Sequence, residues 1–210
     1  MLGIIKRDLM LLWSNKRDRF FIIFYIPFLL LIIESYDLKW LYLAIIVAYT
    51  YILSILSFSH DINGKAKYII HSLPINREEM VFYKYLSSFV YLAITIVYVG
   101  IYLWIINAIG IKPVDYFNLE MIIKAIPIIM ILTSIVYPAY FIFDPKIAQI
   151  IHMIVFFTFF IGMANLGSVG DKSLVSRIGF IRGKGMIYVS AAMYIISLFL
   201  SMKLYKNRDL

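Results

Sequence analysis

The sequence predicts an all-α integral membrane protein. It has six transmembrane helices, an N-terminal interfacial elbow helix and a charged helical corner on the cytoplasmic side. Three observations carry that prediction. Hydrophobic residues make up 63% of the chain and charged residues 15%, with a mean hydropathy of +0.89. Soluble domains hold about 25% charged and about 45–50% apolar residues. The apolar residues gather in runs of spanning length, and a helical span takes about 20 of them. Charge collects in a few short segments between the runs. Six such spans consume roughly 120 residues, so a single transmembrane domain over 1–210 leaves no room for a soluble catalytic domain.

The elements follow in order. Residues 1–19 form the elbow: Leu2, Ile5, Leu9, Leu12 and Trp13 share one helical face, with Lys6, Arg7 and Asp8 mostly elsewhere. That pattern suits a helix lying in the interface plane with its cations toward lipid head groups. A basic flank that merely sets topology accounts for the same cations. The spans are placed at about 20–36, 40–58, 86–109, 119–142, 147–168 and 186–203. The first is shortest, its apolar run ending at Ile33 before Glu34, Ser35 and Asp37. An Asp144-Pro145-Lys146 turn separates the fourth from the fifth.

Orientation rests on the excess of Lys and Arg in cytoplasmic segments. With the N-terminus inside, 13 of the 20 basic residues lie inside and 7 outside, and both termini are cytoplasmic. The outer loop 171–185 runs against this trend, since Lys172, Arg177, Arg182 and Lys184 face only Asp171. Interfacial anchoring explains it, with a short surface helix over Leu174–Ile181 as the alternative.

The loop 59–85 is the most informative segment. Ile62, Ala66, Ile69, Ile70 and Leu73 fall at helical spacing, and Pro74 ends that helix because it lacks an N–H and fixes φ. A second helix starts at once. Asn76 is an N-cap with Glu79 completing a capping box, and Ile75 with Met80 makes a hydrophobic staple. Glu78 and Glu79 suit the positive end of the helix dipole. The helix runs on into the third span and places Lys84 near the head groups. Together these devices make a sharp, rigid corner, though a well-built surface loop has the same signature.

On these residues the chain resembles the ABC-2 type transporter permeases. The resemblance lies in Asp61-x-x-x-Lys65, then Ser72-Leu73-Pro74-Ile75-Asn76-Arg77, Val81 and Lys84-Tyr85-Leu86. It is nearest the small bacterial subgroup that exports phenol-soluble modulins and similar peptides, with Met80 where that pattern has Ile or Val. Only 61–86 matches closely; the layout matches across the chain. The resemblance implies that the loop is a coupling helix seated on a separate ATP-binding subunit. Asp61, Lys65, Ser72, Leu73, Pro74, Asn76, Arg77, Glu78 and Glu79 are then its contact residues. It also implies a second permease copy or a related permease, a bacterial cell-membrane location, and cargo of the amphipathic-peptide, lipid-like or antimicrobial kind. ATP and magnesium would sit on the partner, and nucleic acid has no place in the system.

Other chemistry finds little support. Cysteine is absent and only three histidines occur, which removes thiolate chemistry and disfavours a metal cage. The run Gly179 to Gly185 lacks the spacing, the hydroxyl residue and the strand of a phosphate-binding loop. Glu34 and His152 are the intramembrane ionisable candidates for a pathway. Snorkelling to the outer interface explains Glu34, and polar packing between helices explains His152. The aromatic load, 17 Tyr and 16 Phe, fits enrichment at membrane interfaces for the most part. A membrane-embedded enzyme would need polar residues converging at one depth, and too few occur. A non-transporting immunity or sensor subunit could share the corner.

Overall fold

A computed structural model of the protein describes residues 2–32, 38–62, 76–110, 114–169 and 185–206. These residues form seven helices and no strands: α1 (Leu2–Ser14), α2 (Lys16–Ile32), α3 (Leu38–Ile62), α4 (Arg77–Ile109), α5 (Leu119–Ile142), α6 (Pro145–Val169) and α7 (Gly185–Lys206). Five of them, α3 to α7, are long and apolar enough to cross a membrane. The sixth span expected at 20–36 corresponds to α2, which has 17 residues and ends at Ile32. Residues 33–37 lie outside the described set, so a full first span is not seen.

Helix α3 is the axis of the bundle and packs against α1, α2, α4, α5 and α6. Its residues from Leu41 to Tyr51 are all buried. Apolar side chains occupy nearly its whole circumference, and a helix apolar all round belongs in the interior. Helix α4 has 33 residues and is therefore about 50 Å long. The hydrocarbon core is about 30 Å thick, so several turns of α4 project beyond it. Gly110, at φ 75°, closes α4 by donating its N–H to Asn107 O at 3.1 Å.

Local sequence explains the junctions. Asn15 separates α1 from α2: its Oδ1 accepts from Arg17 N at 3.2 Å and its Nδ2 donates to Asp18 Oδ2 at 3.0 Å. Asn118 caps α5 in the same way, accepting from Met121 N at 3.2 Å. Pro145 opens α6, where its missing N–H costs nothing.

Helix α7 turns the usual soluble pattern inside out. Ser190, Tyr194, Ser197, Ser201 and Tyr205 are its buried residues, while Ile195, Ile196, Phe199 and Leu200 are exposed. Lipid gives apolar side chains no reason to hide, so helices in a bilayer meet through small and hydrogen-bonding residues. Tyr85 Oη lies 2.7 Å from Ser197 Oγ and 2.8 Å from Ser201 Oγ. Tyr194 Oη donates to Tyr85 O at 2.6 Å, and Ser197 Oγ donates to Ser134 O at 2.6 Å. Those bonds tie α7 to both α4 and α5.

The same logic corrects the reading of the tyrosines. Ten of the 17 are buried among helices: Tyr25, Tyr42, Tyr49, Tyr51, Tyr85, Tyr91, Tyr137, Tyr140, Tyr194 and Tyr205. Interface anchoring therefore does not account for most of them; interhelical packing does.

Contacts sort the helix ends into two groups. At one end, Lys84 of α4 meets Asp61 of α3, Phe141 of α5 lies 5.2 Å from Tyr205 of α7, and Lys206 of α7 reaches Glu78 of α4. At the other, Lys124 of α5 lies 5.9 Å from the Trp40 ring of α3. Near that second end Phe117, at φ 52°, lays its ring directly against Gly100. A β-carbon at Gly100 would collide with the ring. We expect Gly100→Ala to lower the melting temperature in detergent and Phe117→Ala to restore most of the loss in the double variant. Equal loss with and without Phe117 would place the cause elsewhere.

Candidate functional site

The chemistry of the chain concentrates where α1, α3 and α4 meet, immediately beside the 63–75 loop. Lys84 is wholly buried, and its Nζ lies 2.6 Å from Asp8 Oδ2 and 2.6 Å from Asp61 Oδ2. It also donates toward Ser57 O and Ser57 Oγ, each at 3.3 Å, and sits 5.0 Å from the centre of the Phe58 ring. Arg7 closes the arrangement from the outside. One of its Nη atoms bridges Asp8 Oδ1 at 2.6 Å and Asp61 Oδ1 at 2.8 Å, and its Nε donates to Asp8 Oδ1 at 3.0 Å.

Two cations and two carboxylates therefore form a neutral cluster built from three helices. Asp8 is 1% exposed, Asp61 9% and Arg7 28%. A lone buried charge would cost several kilocalories per mole, and only close pairing offsets it. Each ammonium proton of Lys84 has an acceptor within reach, which is the condition for burying a lysine at this depth. For Arg7, burial works to lower the pKa, but Asp61 and Asp8 outweigh it and leave the value raised. The guanidinium stays charged under any physiological condition.

The structure adds a role the sequence reading did not give these residues. Lys84, expected near the head groups, is the centre of the ionic cluster. Asp8 is buried against α3 and α4, its neighbour Ile5 buried with it. A signal for this was present. Lys84, Tyr85, Ser88, Tyr91 and Thr95 recur at helical spacing and are buried, whereas Phe82, Leu86 and Phe89 are exposed. In a bilayer the polar stripe is the one that packs inward.

The remaining candidates fall out as follows. Asp61 ends α3 and is shared by Arg7 and Lys84. Asn76 occupies the N-cap of α4 with extended backbone, and its carbonyl accepts from Met80 N at 3.1 Å, but its side chain makes no capping bond. The capping box is thus absent, although the helix starts where the pattern placed it. Ile75, the other half of the staple, lies outside the described residues. So do Lys65, Ser72, Leu73 and Pro74, Glu34, and the basic loop over 171–184.

Arg77, Glu78 and Glu79 are exposed on the first turn of α4. Glu78 Oε1 receives Lys206 Nζ at 2.8 Å and Arg77 donates to Lys206 O at 3.3 Å, so the first turn of α4 is held to the last turn of α7. Both partners of the Glu78–Lys206 pair are more than half exposed, so solvent screens the pair and leaves it a weak tie. His152 Nδ1 is 2.9 Å from Tyr51 Oη, and its ring packs against those of Tyr51 and Phe156. It joins α6 to α3. Glu120 and Lys124 pair at 2.6 Å on the surface of α5.

Removing Lys84 alone should be severe. Lys84→Met leaves two buried carboxylates facing one arginine, and breaking a buried pair in this way costs about 3–5 kcal/mol. Adding Asp61→Asn restores neutrality, and the double variant should regain most of the lost melting temperature in detergent. A Lys84→Met protein as stable as the parent would show that the cluster holds nothing together.

The comparisons agree with this architecture. No curated protein and no solved structure matches the chain. A family model for ABC-2 family transporter proteins matches residues 3–206, nearly the whole length, from α1 through to the last turn of α7. The match takes in every helix described above, including those that supply the ionic cluster, and the chain belongs to the ABC-2 transporter family.

Proposed function

We propose that this chain is the membrane-spanning permease subunit of an ATP-driven exporter, with the end that carries the ionic cluster facing the cytoplasm. The observation that carries the reading is the Arg7–Asp8–Asp61–Lys84 cluster at the root of the 63–75 loop. A loop that receives a push from a soluble ATPase must be joined firmly to the helices it moves. Here Asp61 stands at the loop's entrance, Lys84 follows its exit, and Asp8 fastens the elbow to both. Displacement of the loop is thereby shared among α1, α3 and α4.

Orientation follows from the same end of the bundle. Lys6, Arg7, Lys16, Arg17 and Arg19 lie in α1 and the start of α2, and Arg77, Lys203 and Lys206 lie at the ends of α4 and α7. Basic residues gather on the cytoplasmic side of membrane proteins. Family membership supports a working partnership with an ABC ATPase. The residues proposed to touch it are Asp61, Lys65, Ser72, Leu73, Pro74, Asn76, Arg77, Glu78 and Glu79. The apolar surfaces of α4, α6 and α7, with Leu86, Trp104, Phe157 and Phe199 exposed, are available to lipid and to a second permease. An amphipathic peptide or lipid-like molecule is the cargo that suits such walls. Motion runs from ATP closure on the partner through the loop to the spans.

Affinity capture of the tagged chain from mild detergent should recover an ATP-binding subunit in stoichiometric amount. Scrambling residues 63–75 should abolish that recovery without preventing insertion. Arg77→Glu, or Pro74→Ala combined with Asn76→Ala, should leave the complex able to hydrolyse ATP while transport falls. Full transport by correctly inserted variants would remove the coupling role from this corner.

A further inference from the structure

A second feature lies on the opposite side of α1 from the ionic cluster. An open, apolar groove of about 570 Å³ runs between α1 and the flank of α4, lined by Ile5, Lys6, Leu9, Met10, Trp13 and Val90. Met10 and Trp13 are 58% and 61% exposed. One wall is fixed, because Asp8 and Leu12 of the same helix are buried in the bundle and Asp8 is held by Lys84 at 2.6 Å. The groove is open on its outer side, and its lining is almost wholly apolar.

Lys6, which lines the groove, is exposed and makes no ion pair among the described residues. An apolar channel with a lysine in its wall is complementary to one kind of molecule, an anionic amphiphile. We propose that the groove binds a single anionic phospholipid, one acyl chain lying along Leu9, Trp13 and Val90 and the phosphate held by Lys6. The chain packs against apolar side chains, and the head group meets a positive potential that a zwitterionic lipid would not satisfy. This goes beyond the coupling role and needs no ATPase for its test.

Trp13 lines the groove and reports on it directly. In a chain carrying Trp40→Phe and Trp104→Phe, reconstituted into vesicles, its fluorescence is quenched by lipids brominated along the acyl chain. Brominated phosphatidylglycerol diluted into phosphatidylcholine should quench at about fivefold lower mole fraction than brominated phosphatidylcholine, the preference one lysine near an anionic lipid confers. Lys6→Gln should erase that preference, with Lys16→Gln as the control that keeps it. Val90→Phe, which fills the groove without touching the charges, should weaken quenching by both lipids. Equal quenching by the two lipids, or a preference that survives Lys6→Gln, would overturn the proposal. Quenching by neither lipid would do so as well, since something else would then occupy the groove.

Discussion

The structure hangs on the burial of one lysine. Lys84 lies in the longest helix, has no solvent contact, and is held by two carboxylates that come from different helices. Because a buried ammonium is tolerated only when fully paired, α1 and α3 must bring Asp8 and Asp61 to it before the helices can settle. The ionic requirement therefore sets the register of three helices at one end of the bundle. Apolar packing alone would not do so, since side chains such as Leu and Ile slide past one another at little cost in lipid.

From that anchor the rest of the packing follows a consistent rule. Polar and hydroxyl-bearing side chains tie α4, α5 and α7 together, and large apolar side chains of α7 face outward while those of α3 fill the core. Tyr85 is adjacent to Lys84 and carries the connection from the ionic end into α7 through Ser197 and Ser201. Phe58, which lies against the Lys84 ammonium, meets Tyr137, Tyr140 and Phe141 of α5 with ring centres 5.0–5.3 Å apart. Two neighbouring residues of the cluster thus each recruit a further helix. The end of α3 at Asp61 is thereby connected through packed side chains to both α5 and α7.

The two faces of α1 have separate chemistry. Its inner face contributes Asp8 to the cluster, and its outer face forms an apolar wall next to Lys6. The same short helix thus carries both the paired charge of the cluster and the apolar surface beside Lys6.

Sequence pattern by itself determined the all-helical membrane class and the junctions at Asn76 and Asp144-Pro145, since these depend on local backbone chemistry and the length of apolar runs. The motif over 61–86 was enough to point to the ABC-2 family. What sequence left undecided was which way each polar residue faces. Charge next to an apolar run has the same one-dimensional signature whether it snorkels to head groups or is paired inside, so sequence alone did not reveal the pairing of Lys84 with Asp8 and Asp61. Only the tertiary structure could separate the two, because the partners of Lys84 lie 76 residues away at Asp8 and in a different helix at Asp61. The tyrosines are the same case: their aromatic and hydroxyl parts suit an interface and a helix contact equally. Packing decides between those environments, placing Tyr85 and Tyr194 beside hydrogen-bond partners on neighbouring helices and Tyr42 and Tyr137 deep in the core.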